Sequence, residues 1–336
     1  RPPVSPVPPG LPAAAAAAKK PLLAIPDFEN ISNDESLDYL RAGLPELLIP
    51  GLGQSRLLRV LRRDEIQEIL KKLKLEEAKK YSIAQVKSIS ENGGASAVLT
   101  GSFMKAGDGI LITVYLIDPR TGETVRSLSA KAGDEAAVMA EVDGLIPEIK
   151  RGLGLDPDAI AKDINKSVSQ LATASPEALK LYIEARRFFG RYELERSIPL
   201  FQKAIEIDPE FAIAHAQLAW AYHHSGRRRE WMEHMGKAFS LADRMPEKDR
   251  LRIENGYYLQ WEETYDKSLN AAYKLLELDP EAIGIYINIQ TAYMFLREWE
   301  KVILASEEYF KQGGRHPYGY TNCALAYIRL GFNEVA

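Results

Sequence analysis

The chain has 336 residues, a length that corresponds to about two domains of ordinary size. Apolar residues make up 46% and charged residues 27% of it, which excludes wholesale disorder, and 43 basic against 47 acidic residues give a net charge of −4, which argues against a dedicated nucleic-acid binder. The single cysteine, Cys323, excludes an internal disulfide, and no apolar run reaches the roughly 18 residues that a membrane span requires.

Residues 1–20 are a low-complexity stretch of proline and alanine, with six prolines in the first twelve positions. Proline fixes φ and removes a backbone donor, so we predict an extended, solvated linker. The chain opens on Arg1 rather than Met and stops inside a repeat that is described below. We therefore expect it to be a piece of a longer protein.

Residues 21–155 alternate between the periods of strands and helices, which predicts a small mixed-sheet α/β sandwich domain with helices on at least one face. Asp64 and Ser82 are predicted helix caps, and Asp108-Gly109 is a predicted two-residue hairpin turn. The predicted strands are 22–28, 57–61, 95–105, 110–118 and 124–130. The predicted helices are 35–52, 64–73, 82–89 and 134–153.

Residues 156–174 are polar and weakly patterned, and we predict that they connect this domain to an all-α domain at 175–336. The helical region has a period of 34 residues, which separates Ala204 from Ala238 and Tyr293 from Tyr327. A helix-turn-helix period of 34 is typical of tetratricopeptide repeats, so the fold class is α+β, with a mixed-sheet domain followed by a repeat solenoid. About four and a half repeats fit; they are 175–209, 212–246, 249–280, 283–316 and a fifth begun at 317.

The segment 21–155 resembles the TolB amino-terminal-like domain of bacterial signalling proteins. The matching stretches are IPDFENIS at 25–32, Gly43-Leu44, and VLTGSFMKAGDGILITVYLIDPRTGE at 98–123, whereas Pro45 and Pro50 interrupt a helix that is continuous in that family. Together with the Pro-rich linker and the repeats, the chain resembles the carboxy-terminal, non-kinase region of bacterial eukaryotic-like serine/threonine protein kinases. That resemblance implies an upstream kinase domain and a tail for sensing or docking. It places the tail in the periplasm if the parent has a membrane helix, and otherwise in the cytoplasm.

We predict no active site and no cofactor within the chain, because no kinase, hydrolase or zinc-protease motif occurs in it. Four histidines fall within one repeat: His215, His223, His224 and His234. A metal site would need imidazoles that converge, and we interpret these residues as solvated or groove-lining. Arg227-Arg228-Arg229 follows Gly226 in the turn between two helices. It is either a solvated turn or a docking patch for an acidic partner or lipid headgroups.

The resemblance to tetratricopeptide repeats implies a binding groove lined by the first helix of each repeat. The lining positions carry large apolar and aromatic side chains, and such patches mark binding sites. The predicted groove residues are Trp220, His223, His224, Ile253, Tyr257, Gln260, Trp261, Ile287, Met294 and Phe295. The alternative is that neighbouring helices or the α/β domain cover them. Since the Lys and Asn pattern for a terminal carboxylate is incomplete, we expect an internal, partly apolar segment as the guest.

We thus expect a non-catalytic sensor or scaffold region that binds a protein or peptide, as the tail of a bacterial serine/threonine kinase. The alternatives are a free-standing periplasmic or membrane-associated adaptor, the tail of an adenylate cyclase or transcriptional regulator, and an enzyme hidden in the α/β domain. The sequence upstream of Arg1 distinguishes a tail from an adaptor, and a deep polar pocket would favour the enzyme.

Overall fold

The computed structural model describes residues 20–32, 34–164, 166–168, 173–280, 282–315 and 317–332. The predicted linker, apart from Lys20, and parts of the predicted connector lie outside the described residues. The chain divides into two compact bodies. The amino-terminal body contains 20–231 with Arg244–Pro246, and the carboxy-terminal body contains Met232–Asp243 with 247–332.

A mixed sheet forms the centre of the amino-terminal body. Its strands are β1 (Leu22–Ala24), β2 (Glu29–Asn30), β3 (Arg59–Val60), β4 (Ala97–Ala106), β5 (Gly109–Ile117) and β6 (Thr124–Ala132). Their order is β3-β1-β4-β5-β6, and β2 pairs with β4. Strand β1 is parallel to β3 and β4, whereas β4, β5 and β6 are antiparallel, with Leu99 opposite Leu116 and Val114 opposite Leu128.

Helices cover both faces of this sheet. They are α1 (Leu40–Gly53), α2 (Arg63–Lys72), α3 (Ile83–Gly93), α4 (Val138–Gly152) and α5 (Pro157–Ala161). On one face, α2 and α3 share an apolar core with the sheet that includes Ile66, Ile89 and Val98. Because side chains alternate along a strand, β5 buries Ile112 and Val114 on the other face, where α4 packs along β5 and β6. The predicted mixed sheet with packed helices is confirmed.

The first predicted strand is interrupted. It ends at Ala24 and pairing resumes only at Glu29, because Pro26 has no N–H to donate to a ladder. The first hairpin turn is also one residue earlier than predicted. Ala106 pairs with Gly109, so the turn residues are Gly107 and Asp108, and Gly107 takes the positive φ of 68°.

The predicted cap at Ser82 is confirmed, since its hydroxyl accepts from the N–H of Gln85 at 3.3 Å. The predicted cap at Asp64 is wrong. Helix α2 begins one residue earlier, and the side chain of Glu65 accepts from the N–H of Arg62 at 2.8 Å. Asp64 lies inside the first turn and accepts from the guanidinium of Arg62 at 2.8 Å, whereas Glu65, three residues after Arg62, takes the reciprocal position of a capping box.

Pro45 and Pro50 both lie inside α1. A proline in a helix leaves the carbonyl four residues earlier without its usual donor. For Pro45 that carbonyl belongs to Arg41, and the backbone N–H of Phe28 donates to it at 2.9 Å. A segment next to the sheet therefore completes the helix at the point where the proline interrupts it.

From Pro176 onward the described chain consists of helix pairs, as predicted. The helices are α6 (Pro176–Gly190), α7 (Leu194–Ile207), α8 (Ala212–His224), α9 (Arg228–Ser240), α10 (Glu247–Tyr258), α11 (Tyr265–Leu278), α12 (Ile285–Phe295), α13 (Trp299–Lys311) and α14 (Pro317–Arg329). In the amino-terminal body, α6 packs against α7 and α7 against α8. In the carboxy-terminal body, α10 pairs with α11, and α12 with α13, and α13 packs against α14. The division between the bodies falls inside α9.

The predicted connector is held to the sheet domain by buried polar contacts. The ammonium of Lys150 lies 2.8 Å from the carboxylate of Asp163, and these side chains are 0% and 1% exposed. The hydroxyl of Ser55 and the N–H of Arg56 donate to the same carboxylate. The side chain of Gln54 exchanges two hydrogen bonds with the backbone of Lys166, at 2.8 and 2.9 Å. This point therefore joins α1, α4 and the connector.

The first repeat also contacts the sheet domain directly. Helix α6 packs on α1, and the Nε of Arg186 lies 3.6 Å from a carboxylate oxygen of Glu46. Gly43 allows this approach, because a Cβ there would meet the Cδ1 of Ile183 at 3.0 Å. Independent folding of 21–155 and 175–336 stays a prediction.

Replacing Asp163 by Asn should destabilise the protein strongly, because it leaves the ammonium of Lys150 buried without its counter-charge. Breaking a buried ion pair from one side costs about 3–5 kcal/mol. Chemical denaturation at neutral pH measures this loss. Asp158→Asn, at an exposed position of α5, is the matched control, and a loss no larger than that of the control would contradict the role of the pair.

Acid should weaken the protein through the same carboxylate. Burial alone would raise the pKa of Asp163, but Lys150, Ser55 and the N–H of Arg56 together hold this pKa below its usual value. A lowered folded-state pKa gives stability that is present above about pH 3.9 and is lost as the pH falls through the folded value. Between about pH 5 and about pH 2, the wild-type free energy of unfolding should fall more than that of Asp163→Asn. Parallel curves would refute this.

Candidate functional site

Aromatic side chains cluster around the third repeat, in the carboxy-terminal body. The rings of Tyr257 and Phe239 stack in parallel, with centroids 4.1 Å apart and planes at 7°. Trp261 packs against Tyr257 at 5.0 Å, and Tyr258 packs against the same ring at 5.5 Å. Tyr257 and Trp261 remain partly exposed, so both predicted groove residues keep some surface while their rings are held by neighbours.

Phe295, in the fourth repeat, is the most exposed of the predicted groove residues in the carboxy-terminal body. The side chain of Phe295 is 56% exposed, and its ring stacks on Tyr265 with centroids 5.3 Å apart and planes at 15°. The neighbouring Leu296 is also exposed, whereas Ile287 and Met294 are half-buried. Phe295 thus combines a fixed ring orientation with open apolar surface.

Two predicted groove residues of this body offer little surface. Ile253 and Gln260 are 6% and 5% exposed. Ile253 lies on α10, which packs against both α11 and α12, so neighbouring helices cover it. Among the described residues, neither amide atom of Gln260 has a hydrogen-bond partner, which is a costly arrangement for a buried amide. For these two positions the structure favours the alternative that neighbouring elements cover them.

A row of buried amides, which the sequence analysis missed, links the first helices of successive repeats. The amide nitrogen of Asn255 donates to the hydroxyl of Ser268 at 2.9 Å, and its oxygen accepts from Asn288 at 2.6 Å. The amide nitrogen of Asn322 donates to Gln290 at 3.1 Å. The positions of Asn288 and Asn322, one period of 34 apart, were the signal from which this row could have been predicted.

The predicted groove residues of the second repeat lie in the amino-terminal body and form a stack of rings. His223 packs between Trp220, at 5.6 Å, and Trp231, at 4.8 Å. The ring of His224 lies 5.6 Å from that of His223. Trp231 was not predicted, yet it is the buried member of the stack, with 7% of its surface exposed. The two histidines themselves are exposed.

The electrostatics of this stack favour a neutral His223. Partial burial lowers the pKa of His223, and the nearby guanidinium of Arg228 lowers it further. Because the usual histidine pKa is about 6.5, the ring is uncharged at neutral pH. Among the residues that the structure describes, no group of three or more His, Cys, Asp or Glu side chains is arranged to hold a metal ion.

The three arginines of the predicted docking patch differ in their surroundings. The guanidinium of Arg227 lies over the ring of Tyr222 at 4.5 Å and pairs with Glu230 at 2.6 Å. Arg228 lies over Trp231 at 5.8 Å. Arg228 and Arg229 are exposed, and neither forms an ion pair with a described residue. Arg227 is thus committed within the fold, whereas the other two present their charge to solvent.

The sheet domain contains an open depression of about 760 Å³, lined by Ser32, Asp34, Glu35, Ser36, Met104 and Lys105. Of its two carboxylates, the one of Asp34 is already engaged. The side chain of Asp34 accepts from Ser36 and pairs with Lys105 at 3.1 Å. The Ser36 hydroxyl, and then Lys105, lower the pKa of Asp34. An ionised, fully engaged carboxylate is poorly suited to proton transfer near neutral pH.

Residues 200–232 match the family model of the tetratricopeptide repeat. This match lies within the region of helix pairs and is about as long as one predicted repeat of 34 residues. The match spans the end of the first repeat and most of the second. Within the described residues, no helix has both the length and the apolar character to cross a bilayer.

A curated protein of Rhizobium meliloti (strain 1021), described as putative adenylate cyclase 3, is 27% identical over 215 residues. The match covers 63% of this chain and 33% of that protein, so the chain spans about a third of the length of this relative. Among solved structures, MamA MSR-1 C2 has a TM-score of 0.37 at 14% identity, covering 48% of this chain and 91% of its own. The LpoB C-terminal domain from Salmonella enterica has a TM-score of 0.27 at 18% identity, covering 35% and 87%.

Replacing Asn255 by Ala should destabilise the repeats, because it leaves partners at Ser268 and Asn288 without their hydrogen bonds. A buried polar group left unpaired costs about 1–3 kcal/mol. Chemical denaturation followed by circular dichroism measures the change. Asn270→Ala, at an exposed position of the neighbouring helix, is the control, and equal effects of the two substitutions would show that the amide row contributes nothing.

Proposed function

We propose that this chain is a non-catalytic scaffold region that binds an internal, partly apolar segment of a partner protein on its third and fourth repeats. The observation that carries this proposal is the exposed ring of Phe295, stacked on Tyr265 and followed by the exposed Leu296. Contiguous exposed apolar side chains mark interaction surfaces. Tetratricopeptide repeats support a protein as the partner.

The contacts around Phe295 suit the binding of a side chain. Its ring is oriented before a partner arrives, so little side-chain entropy remains to be lost on binding. Trp261, four residues before Tyr265, adds a second partly exposed ring on the same stretch of chain. Aromatic residues of this kind commonly dominate binding energies, at about 2 kcal/mol or more for each central residue.

The parent protein is a separate part of the proposal. We propose that the chain accompanies the catalytic domain of a nucleotide cyclase, because its curated relative is described as a putative adenylate cyclase and is about three times as long as the matched segment. The alternative is a serine/threonine kinase, supported by the resemblance of 21–155 to the TolB amino-terminal-like domain. In either parent, an upstream membrane helix would place this chain outside the cytoplasm.

The coding sequence that flanks this segment in its genome tests the choice of parent. A cyclase catalytic domain in the same reading frame would support the proposal. A kinase domain would support the alternative, and a frame limited to these 336 residues would contradict both and favour a free-standing adaptor.

A photo-crosslinking amino acid at position 295 should capture the partner in the native host. The same amino acid at position 207, where Ile207 is also an exposed apolar residue, should not. Phe295→Ala should weaken binding of the captured partner by about tenfold or more, as expected for a central aromatic contact. Equal crosslinking at both positions would contradict a specific surface.

The double variant Trp261→Ala with Phe295→Ala separates binding from folding. We expect loss of partner capture with an unchanged helical circular dichroism spectrum. If the double variant unfolds, these rings belong to the core of the repeats, and the proposed surface is wrong.

A further inference from the structure

A second surface lies at the turns inside the first two repeats, in the amino-terminal body. Tyr192 lies in the turn between α6 and α7, and His224 ends α8. Their rings are 5.5 Å apart, and His224 also contacts Phe189 at 5.9 Å. The two turns therefore present one continuous surface of rings, which does not involve the residues of the function proposed above.

Tyr192 occupies a backbone position that favours glycine. Its φ is +59°, in the left-handed region that side chains other than glycine adopt at a cost. One period of 34 later, the corresponding residue is Gly226, with φ of +74°, and the same turn of the fifth repeat has Gly331 at +87°. The first and fourth repeats thus carry a bulky residue at this turn, Tyr192 and Arg297, both at φ of +59°, where the second and fifth repeats have glycine.

The ring of Tyr192 gains little burial in exchange for this strain. It is 65% exposed, so its contacts inside the fold are few. A strained residue with an exposed ring is an observation that points toward function rather than packing.

Unpaired positive charge lies at the neighbouring turn. Arg228 and Arg229 are exposed, and Arg228 is held over the ring of Trp231. A guanidinium that stacks on a ring keeps its N–H edge available for a carboxylate, which it binds through two parallel hydrogen bonds. Arg227 does not contribute, because Glu230 already pairs with it.

We propose that Tyr192, Arg228 and Arg229 form a docking site for an acidic linear segment of a partner protein. The arginines bind carboxylates of the segment, and Tyr192, which is linked to them through the rings of His224, His223 and Trp231, contacts an apolar or aromatic side chain of the same segment. A lipid surface fits less well, because electrostatic binding to a membrane relies on clusters of about four to eight basic residues. Here the turn contains three consecutive arginines, and Arg227 is already paired with Glu230.

The test uses the full chain and a fluorescein-labelled peptide of about twelve residues, composed of Asp and Glu around a central Phe. We expect saturable binding that weakens as salt is added. The double substitution Arg228→Ala with Arg229→Ala should weaken it by about tenfold or more. Lys71→Ala with Lys72→Ala removes the same charge from an exposed end of α2 and should leave binding unchanged.

Tyr192→Gly separates this role from a structural one. Because glycine suits the positive φ, the melting temperature should stay the same or rise, while peptide binding weakens. A fall in melting temperature with unchanged binding would show that Tyr192 serves the fold and would overturn its role here.

Two further outcomes would overturn the proposal as a whole. One is equal weakening by the arginine and lysine pairs, which would show attraction to net charge alone. The other is binding to phosphatidylserine vesicles without binding to the peptide, which would identify a lipid surface. Substituting both arginines by lysine keeps the charge and should restore only part of the affinity, because lysine cannot form the paired hydrogen bonds.

Discussion

The buried ion pair between Lys150 and Asp163 determines where the chain leaves the sheet domain for the repeats. Two charges are removed from water there, which is tolerated only when both are paired and their remaining lone pairs are satisfied. The hydroxyl of Ser55 and the N–H of Arg56 meet that requirement. The end of α1, the end of α4 and the connector must therefore converge at one point. Further along the chain, helix α6 packs on α1. The placement of α6 and α7 then determines where Tyr192 lies, in the turn between them.

The repeats of the carboxy-terminal body are specified by polar as well as apolar contacts. Asn255 is almost fully buried, and its side chain forms hydrogen bonds with residues of both α11 and α12. Amide hydrogen bonds require defined distances and angles, so they fix the register of one repeat on the next more narrowly than apolar contact does. Gln260 keeps both of its amide atoms, and Gln290 its amide nitrogen, buried without a partner among the described residues. The unpaired buried amides lower the stability of this body, while the paired amides fix the register of its repeats.

Periodicity made the architecture predictable. The exact positions of turns and caps were not predictable, because they depend on contacts with neighbouring elements. A period of 34 identified the helix pairs, and alternation identified the strands. The position of the first hairpin turn was missed by one residue because two glycines flank Asp108, and only the strand pairing decides between them. The cap of α2 was missed because Asp is a favoured N-cap residue and Arg is not, although the helix has Arg62 at its N-cap.

The exposure of the predicted groove residues was harder to predict than the fold. Repeat position alone placed Ile253 and Gln260 on an open surface, although both side chains are buried. Trp231 and Tyr192 were not among the predicted residues. Trp231 lies on the second helix of its repeat, whereas the predicted groove takes its residues from the first helices. Tyr192 lies in a turn, where only the backbone angle reveals that a side chain is held at a cost.

The hydrogen bond from Phe28 to Arg41 makes the formation of α1 depend on a distant part of the fold. An isolated helix with Pro45 would expose a carbonyl that no residue of the helix can satisfy. The donor arrives only when the segment after β1 has docked on the sheet, where β2 pairs with β4. The complete α1 therefore depends on a docked sheet, and hydrogen exchange of the Phe28 amide reports on the opening of the contact between them.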